Sequence, residues 1–350
     1  MKVIIVSGIS TYRALVLEQP KKVAIRINEM LKEIKRDEVL IKMLSASICE
    51  TDLKIYEGSI KAKKLPIVMG HEGVGKVIAT GNGVTSVREG DIVLIDPNIY
   101  DGVCDLCRVG LTNLCPNGGL LGRDEDGLFR EYVILKEQNL YKLPSNIDLR
   151  IAPLIQPLST VAHAQRQINI DIGNVVVIFG TGVTGLMHLQ LIKARGGYVI
   201  AVGRNQFKLE MAKKLGADIT LLDNGDVQRK ILELTDGKGA DIVIDAIGHP
   251  DVAKQAIKIL KPKGTLLQFG ISSMEMQIPM YEIYFKEIKI QGARSSTSAD
   301  FLEAIRITIL NKVNLDIFCS TVLKFDEIPE KINYVIENKA NMFRAIVTFT

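Results

Sequence analysis

The sequence predicts an α/β protein of two domains, one built on a doubly wound parallel sheet and the other mainly β. The chain has 350 residues, and a single hydrophobic core stops growing at roughly 250–300 residues. Short β-rich runs separated by Gly and Asp turns continue to about residue 143. After Pro157, apolar runs alternate with helical patterns, which is typical of a parallel sheet covered by helices.

The composition is that of an ordinary globular protein. Hydrophobic residues make up 47% of the chain and charged residues 24%. Forty-four basic residues against 40 acidic ones give a formal charge of +4 without a dense Lys/Arg block, so we predict no nucleic-acid partner. The most apolar stretch, residues 174–192, contains three glycines, a histidine and a glutamine. It reads as a strand and a helix, so we predict no membrane association.

The cysteines indicate metal ligation. There are five of them, and Cys104 and Cys107 form a C-x-x-C pair. An odd number with such a pair favours metal binding in a reducing compartment over a disulfide framework. We therefore predict a cytoplasmic protein.

The first half of the chain is predicted to be mainly strands. Runs rich in β-branched residues at 12–17, 39–45 and 74–79 have the length and boundaries of short strands. From about residue 301 a helix is predicted to residue 311, followed by strand-like pieces, a helix at 328–337 and a final strand at 343–349.

The second half is predicted to alternate strands and helices. Its first strand, residues 174–179, is the continuous apolar run expected of a strand that is buried on both faces. Further strands are predicted at 198–202, 219–222, 241–246 and 265–270, and helices at 186–195, 207–215, 227–234 and 252–260.

A glycine-rich turn follows the first of these strands and opens a helix. The turn GTGVTG places Gly180, Gly182 and Gly185 at G-x-G-x-x-G spacing, with Val183 between them. Glycines allow the tight turn and the approach of backbone N–H groups to a pyrophosphate, whose charge suits a helix N-terminus. In this strand–turn–helix context the motif predicts a dinucleotide site that includes all four residues.

The end of the next predicted strand bears on the choice of dinucleotide. NAD enzymes place an acid there to bond the adenosine ribose hydroxyls, but this chain has Gly203 followed by Arg204. Nothing at Gly203 repels a 2′-phosphate, and a guanidinium suits one. We predict NADP in preference to NAD, with Lys208 as a second cation. The alternative is that Arg204 is a solvated loop cation and NAD binds without the acid.

A histidine and a glutamate stand side by side in a frame of glycines. His71 and Glu72 follow Gly70, and ICETD upstream holds Cys49 and Asp52. Thiolate, imidazole and carboxylate are ligand types that zinc takes, and a catalytic zinc keeps one position open for substrate. The alternative, a surface His beside a surface Glu, is disfavoured by the glycines, which suit tight turns and close backbone packing.

This region resembles the signature of the zinc-containing medium-chain alcohol dehydrogenases. The signature reads G-H-E, two residues, G, five residues, G, two residues and a small aliphatic residue. Every position is filled, by Gly70, His71, Glu72, Gly75, Gly81 and Val84.

The resemblance covers the chain from Tyr12 onward and implies how it is divided. It implies a mainly β, GroES-like catalytic domain at residues 1–160 and 302–350, and a Rossmann dinucleotide-binding domain at residues 161–301. Members are usually dimers or tetramers, so a homo-oligomer is expected. A small hydroxyl- or carbonyl-containing molecule is the expected substrate.

The resemblance also implies roles for particular side chains. Cys49, His71 and Glu72 would hold a catalytic zinc, with Gln156 of the Gln-Pro pair as a fourth ligand or, alternatively, a hydrogen-bonding residue at the domain hinge. Thr51 would hydrogen-bond the substrate oxygen. Two departures stand out: Glu50 replaces a glycine, and Lys54 stands where many relatives have a proton-relaying histidine. Lys54 either attracts a polar or anionic substrate or faces water.

A second metal lobe is implied by the stretch DGVCDLCRVGLTNLC. The family's structural-zinc lobe has four cysteines at C-x2-C-x2-C-x7-C spacing. Cys104, Cys107 and Cys115 fit the last three positions, and Asp101 stands at the first. A carboxylate can ligate zinc, so a closed structural site is predicted. The alternative is a lobe that has lost its metal.

The sequence therefore favours a zinc-dependent oxidoreductase that transfers hydride between a secondary alcohol, polyol or sugar and NADP. An enzyme similar to L-threonine 3-dehydrogenase is the first alternative, and Lys54 in place of histidine weighs against it. A second alternative is a reductase or binding protein of the same superfamily that binds NADPH without zinc. The ligand set Cys49, His71 and Glu72 disfavours that reading.

Overall fold

The computed structural model of the chain describes residues 4–5, 9–29, 33–272 and 274–349. Its strands, in chain order, are β1 (Ile4–Ile5), β2 (Thr11–Gln19), β3 (Lys22–Glu29), β4 (Glu33–Ile34), β5 (Glu38–Ile48), β6 (Ile67–Val68), β7 (Glu72–Thr80), β8 (Ile92–Ile95), β9 (Asn98–Ile99), β10 (Gly119–Leu120), β11 (Tyr132–Lys136), β12 (Leu140–Leu143), β13 (Val175–Phe179), β14 (Tyr198–Gly203), β15 (Ile219–Leu222), β16 (Ala240–Asp245), β17 (Leu260–Gln268), β18 (Lys289–Gly292), β19 (Cys319–Lys324) and β20 (Arg344–Thr348).

The α-helices are α1 (Glu50–Glu57), α2 (Asp105–Arg108), α3 (Ile155–Arg166), α4 (Val183–Ala194), α5 (Gln206–Lys214), α6 (Val227–Leu234), α7 (Pro250–Ile259), α8 (Met280–Lys286), α9 (Ser298–Ile309) and α10 (Ile328–Asn338). Single turns of 3-10 helix lie at Thr112–Leu114, Glu137–Asn139, Ala152–Leu154, Asp316–Phe318 and Phe325–Glu327. Within the described ranges, no helix is both long enough and apolar enough to cross a bilayer.

The chain divides into two compact units. The first comprises Met1–Pro157, Thr297–Ile305 and Leu315–Thr350, and the second comprises Leu158–Ser296 and Arg306–Asn314. The predicted domain boundaries near residues 160 and 301 stay a prediction.

The first unit is built on a seven-stranded sheet. Its strands run in the order β12-β8-β7-β5-β20-β19, and β11 also pairs with β5. Strand β5 is therefore the centre of the unit, and the late strand β20 pairs with it antiparallel, with Ile48 opposite Ala345. A separate three-stranded sheet, β3-β2-β6, packs its apolar residues with α1 and α10 into one core.

The second unit is a six-stranded sheet in the order β15-β14-β13-β16-β17-β18. Every pairing in it is parallel. The central strand β13 is buried because helices cover the sheet, which explains its unbroken apolar run. The predicted α/β class, with a doubly wound parallel sheet beside a mainly β unit, is confirmed.

Several elements were not predicted from the sequence, among them α1, α8 and β18. No helix was predicted at α1, where the sequence suggested only candidate ligand residues. Both boundaries of α1 are nevertheless marked, by Asp52 in its first turn and by a left-handed Gly58 at its end. Helix α8 and strand β18 lie where no element was predicted. The α8 sequence MYEIYFK is rich in aromatic residues, which lowers helix propensity.

A buried carboxylate follows strand β8. Asp96 is 1% exposed, and its Oδ1 accepts hydrogen bonds from the backbone N–H of Asn98 at 2.8 Å and from Asn98 Nδ2 at 2.7 Å. Burial outweighs these bonds and raises the pKa of Asp96 to about 7. The folded protein therefore holds this proton more tightly than the unfolded chain does.

We predict that Asp96 makes the protein less stable as the pH rises. A carboxyl group whose folded-state pKa is raised contributes stability below its unfolded pKa, and this contribution is lost as pH rises through the folded pKa. Asp96→Asn keeps the acceptor oxygen but cannot ionise. The free energy of unfolding of this variant, relative to that of the original protein, should rise by about 2–4 kcal/mol as the pH is raised from 4 to 8.

Urea unfolding at several pH values, followed by circular dichroism, measures this gain. The exposed Glu89→Gln is the matched control and should show no such trend. A pH dependence that is the same for Asp96→Asn and the original protein would mean that Asp96 is not the group responsible.

Candidate active site

The position of His71 depends on the glycine before it. Gly70 has φ +94°, and a Cβ there would lie 2.5 Å from the ring of Phe129. Only glycine fits this close, left-handed turn. His71 then lies directly before β7, with its side chain buried.

A single carboxylate fixes the positions of two predicted metal ligands. Cys49 is the N-cap of α1, and its backbone N–H donates to Asp52 Oδ2 at 2.8 Å. Asp52 Oδ1 lies 2.9 Å from His71 Nδ1. This contact orients the imidazole and leaves Nε2 as the nitrogen that can bind a metal.

The three predicted ligands converge. Cys49, His71 and Glu72 each offer a ligand atom, and these atoms lie within 4.8 Å of one another. Burial lowers the pKa of His71, but the charges and hydrogen bonds of Asp52 and Cys49 outweigh it and hold that pKa well above its usual range. The pocket thus attracts positive charge, and its thiolate, imidazole and carboxylate donors fit a zinc ion.

An arginine that the sequence analysis did not identify completes this site. Arg344 begins β20 and is buried. It donates from Nη2 to Glu72 Oε1 at 3.0 Å, from Nε to Glu72 Oε2 at 3.2 Å, and from Nη2 to Cys49 Sγ at 3.3 Å. No sequence signal links Arg344 to residues almost 300 positions earlier. The pairing of β20 with β5 brings them together.

The carboxylate of Glu72 is therefore already engaged. Both of its oxygens receive hydrogen bonds from Arg344, and Ser47 Oγ also donates to it. The geometry gives Glu72 the role of holding the buried arginine. Its role as a ligand stays a prediction.

Gln156 lies at the start of α3 and is buried. The preceding turn, Ala152–Leu154, packs against β5 and β7, the strands that lead into Cys49 and away from His71. Ligation by Gln156 stays a prediction.

Thr51 and Lys54 lie on helix α1, whose N-cap is the predicted metal ligand Cys49. They are three residues apart, so they lie on the same side of the helix. Lys54 Nζ lies 3.6 Å from Glu50 Oε1. The two departures from the family pattern, Glu50 and Lys54, thus pair with each other. Their i, i+4 spacing was the sequence signal that could have revealed it.

The second metal lobe also assembles. Asp101, Cys104, Cys107 and Cys115 bring their ligand atoms within 4.8 Å of one another, and the sulfurs of Cys104 and Cys115 are 3.9 Å apart. Three thiols and a carboxylate fit a closed zinc site.

Asp101 in this lobe is firmly held. Its Oδ1 accepts from the backbone N–H groups of Val103 at 2.9 Å and Cys104 at 3.0 Å, and Asn117 Nδ2 donates to Oδ2 at 2.7 Å. The bond from Cys104, with the others, holds the pKa of Asp101 well below its usual range. The carboxylate stays ionised and keeps lone pairs on Oδ2 for a metal.

The glycine-rich turn joins β13 to α4 in the second unit. Gly180 has φ +106°, and a Cβ on Gly185 would lie 1.9 Å from the carbonyl oxygen of Gly180. Gly182, the N-cap of α4, faces open space. Two glycines therefore shape the turn, and the third leaves room for a phosphate at the helix N-terminus.

The end of β14 differs from the sequence interpretation in one respect. A Cβ at Gly203 would lie 2.5 Å from Thr181 Oγ1, so the absence of an acid there follows from packing as well as from cofactor choice. Arg204 is 79% exposed and its Nε donates to Asp223 Oδ2 at 3.3 Å. The backbone N–H of Lys208 is capped by Asn205 Oδ1 in the first turn of α5. Asp223 was not predicted from the sequence.

Comparison with known families identifies two matching regions. Residues 35–145 match the alcohol dehydrogenase GroES-like domain, and residues 183–309 match the zinc-binding dehydrogenase domain. A sorbitol dehydrogenase from Halalkalibacterium halodurans is 36% identical over 80% of this chain and 82% of its own length. An L-threonine 3-dehydrogenase from Pyrococcus horikoshii is 36% identical over 73% of this chain and 75% of its own.

Solved structures agree with these matches. A zinc-binding dehydrogenase from Sinorhizobium meliloti bound to NADP superposes with a TM-score of 0.88, at 28% identity over 97% of this chain and 100% of that one. A structure described as a short-chain alcohol dehydrogenase from Escherichia coli in complex with NADH gives a TM-score of 0.91, at 27% identity over 97% and 100%.

We predict that the buried pair of Arg344 and Glu72 acts as a unit. Arg344→Met should destabilise the protein by about 3–5 kcal/mol, because it leaves a buried carboxylate without its cation. Adding Glu72→Gln should recover at least half of that loss, since the uncompensated charge is then removed. Urea unfolding of the two variants, both stripped of metal, measures the difference.

Arg229→Met is the control for this experiment. Arg229 forms an exposed pair with Asp226, and its loss should change stability by about 1 kcal/mol or less. Equal stability of the Arg344→Met variant and the double variant would show that burial of the Glu72 charge is not the cause.

Proposed function

The chain belongs to the zinc-dependent medium-chain alcohol dehydrogenase family, and we propose that it transfers hydride between a secondary alcohol, polyol or sugar and NADP. The observation that carries the proposal is the convergence of Cys49, His71 and Glu72 around a common point, with His71 held by Asp52. A binding protein without zinc would have no need for this ligand set.

The catalytic zinc would be held by Cys49 and His71, with Gln156 and Glu72 as further candidate ligands. When bound, the ion would supply Lewis acidity toward the substrate hydroxyl, and the nicotinamide would accept the hydride. Asp52 keeps His71 in the tautomer and orientation that binding requires. Arg344 offsets the negative charge that Cys49 and Glu72 concentrate in the pocket.

Thr51 and Lys54 have separate proposed roles toward the substrate. Thr51, at the start of α1 beside Cys49, carries a hydroxyl that can both donate and accept, so it can hold the substrate proton at Oγ1. A charged Lys54 has no acceptor atom and cannot take that proton. We assign to Lys54 the positive charge beside Thr51, which favours polar or anionic substrates.

We assign a structural zinc to the lobe of Asp101, Cys104, Cys107 and Cys115. The convergence of four donors supports this assignment.

For the cofactor, Gly180, Gly182, Val183 and Gly185 form the proposed pyrophosphate cradle. Gly203, Arg204 and Lys208 form the proposed adenosine side, which favours NADP. We also propose a catalytic domain at residues 1–160 and 302–350, a dinucleotide-binding domain at residues 161–301, and a cytoplasmic location.

An L-threonine 3-dehydrogenase activity is the second candidate. A relative of that name matches at 36% identity, as closely as the sorbitol dehydrogenase does. The Glu50–Lys54 pair favours a polyol or sugar as the substrate, because Lys54 occupies the position at which many relatives have a proton-relaying histidine. A screen of dehydrogenase activity over polyols, aldoses and amino alcohols distinguishes the two candidates. The greater kcat/KM is expected for a polyol or sugar, and a greater value for threonine would select the second candidate.

We also propose that the protein is a homo-oligomer, dimer or tetramer, that pairs through the edge of the second unit. Strand β18 is the last strand of its sheet. Helix α8, which precedes β18 in the chain and packs against β17, exposes Met280, Tyr281, Tyr284 and Phe285, each more than half accessible to solvent. A second copy related by a twofold axis would pair β18 antiparallel with itself and cover these aromatic residues.

We predict that Tyr284→Glu combined with Ile290→Lys converts the oligomer to a monomer, because both place charge on the proposed interface. Light scattering after size-exclusion chromatography measures the mass. Ile172→Lys is the control, an exposed isoleucine in the loop before β13. An unchanged mass for the double variant would place the interface elsewhere.

We predict that Cys49→Ser abolishes activity and removes about one of two zinc ions per chain, because the lobe holds the other. Cofactor binding should persist, since the glycine-rich turn belongs to the second unit. Elemental analysis, activity and NADP titration measure the three properties.

Cys319→Ser serves as the matched control, since Cys319 lies outside both ligand clusters. A single zinc in the original protein, lost together with activity in Cys49→Ser, would show that the lobe is empty. Retention of full activity by Cys49→Ser would contradict the proposed function.

A further inference from the structure

A charged groove lies in the second unit, and of the predicted site residues only Arg204 reaches it. The groove has a volume of about 460 Å³. Its lining combines side chains of both signs: Arg204, Asp223, Asp251, Lys254, Gln255 and Lys258, with Gly225. Lys254 and Lys258 are exposed and one turn apart on α7.

Asp223 is a carboxylate next to the strand end where a cofactor's adenosine is expected. It follows β15, and its backbone N–H donates to the carbonyl oxygen of Gly203 at 2.9 Å. Its side chain is only 11% exposed and pairs with Arg204. The neighbouring strand thus brings a carboxylate next to Gly203, where packing against Thr181 leaves no room for a side chain.

Resting on the proposed function, we propose that Asp223 is a specificity-determining residue that lets the site accept both cofactors. With NAD, Asp223 accepts hydrogen bonds from the adenosine ribose hydroxyls, the role that strand-end acids have in NAD sites. With NADP, the 2′-phosphate takes the guanidinium of Arg204 from Asp223, and Lys254 adds positive charge from the facing wall of the groove.

The strength of the Arg204–Asp223 pair makes the exchange possible. Arg204 is mostly exposed and uses only Nε in this contact. Exposed ion pairs are weak, worth about fivefold or less in an equilibrium constant. A phosphate can accept two parallel hydrogen bonds from a guanidinium, so it can bind Arg204 more strongly than Asp223 does through its single contact with Nε. Asp223 remains nearby and repels the phosphate, so the preference for NADP is limited.

The test separates the adenosine side from catalysis. Binding of 5′-AMP and of 2′,5′-ADP to the full-length protein is measured by calorimetry, without substrate. Asp223→Asn should tighten 2′,5′-ADP binding by about tenfold, because it removes the repulsion and releases Arg204. It should weaken 5′-AMP binding several-fold. Arg204→Ala should weaken 2′,5′-ADP alone.

Asp226→Asn is the matched control, three residues further on and paired with Arg229 rather than Arg204. It should leave both affinities unchanged. Asp223→Ala, checked by circular dichroism, repeats the test with a side chain that makes no hydrogen bond. Its 5′-AMP affinity should fall at least as far as that of Asp223→Asn.

Equal effects of Asp223→Asn on the two ligands, or no effect on either, would overturn the inference and leave the dehydrogenase assignment standing. Failure of the original protein to bind either nucleotide would instead overturn the proposed cofactor site, and the inference with it.

Discussion

The candidate active site depends on one buried carboxylate. Asp52 joins the backbone of Cys49 to the imidazole of His71, with contacts of 2.8 and 2.9 Å. The first contact caps α1 and fixes where the thiol stands, and the second fixes the ring. Because both run through one side chain, the helix start and the strand start cannot shift independently. The pocket of Cys49 and His71 is thus set by the bonds that one side chain makes at the start of α1 and just before β7.

The charge of this pocket is balanced from the far end of the chain. Cys49, Asp52 and Glu72 bring acidic groups into a buried space. The guanidinium of Arg344 donates hydrogen bonds to Cys49 and Glu72 and offsets part of their charge. Isolated buried charges are costly, so such a group of acids is stable only with a cation or a metal beside it. Arg344 supplies part of this compensation.

Local patterns in the sequence predicted most of the fold and the ligand clusters. The apolar run of β13 and the following glycines are contiguous, and so are His71 and Glu72. Their chemistry is therefore visible in a short window. Arg344 and Asp223 were not predicted, because each acts on residues supplied by another strand of its sheet. Strand pairing is a tertiary property, and no spacing in the sequence encodes it.

The placement of β20 has a consequence for how the protein is made. Strand β20 pairs with β5 near the middle of the first sheet, yet it is separated from β5 by the whole of the second unit. During synthesis the second unit can acquire its parallel sheet from nearly contiguous chain, whereas the first waits for its last strand. Until the ribosome releases that strand, the nascent pocket holds Cys49 and Glu72 without Arg344. Completion of the pocket around Cys49 and Glu72 therefore depends on a strand that is made only after the whole of the second unit.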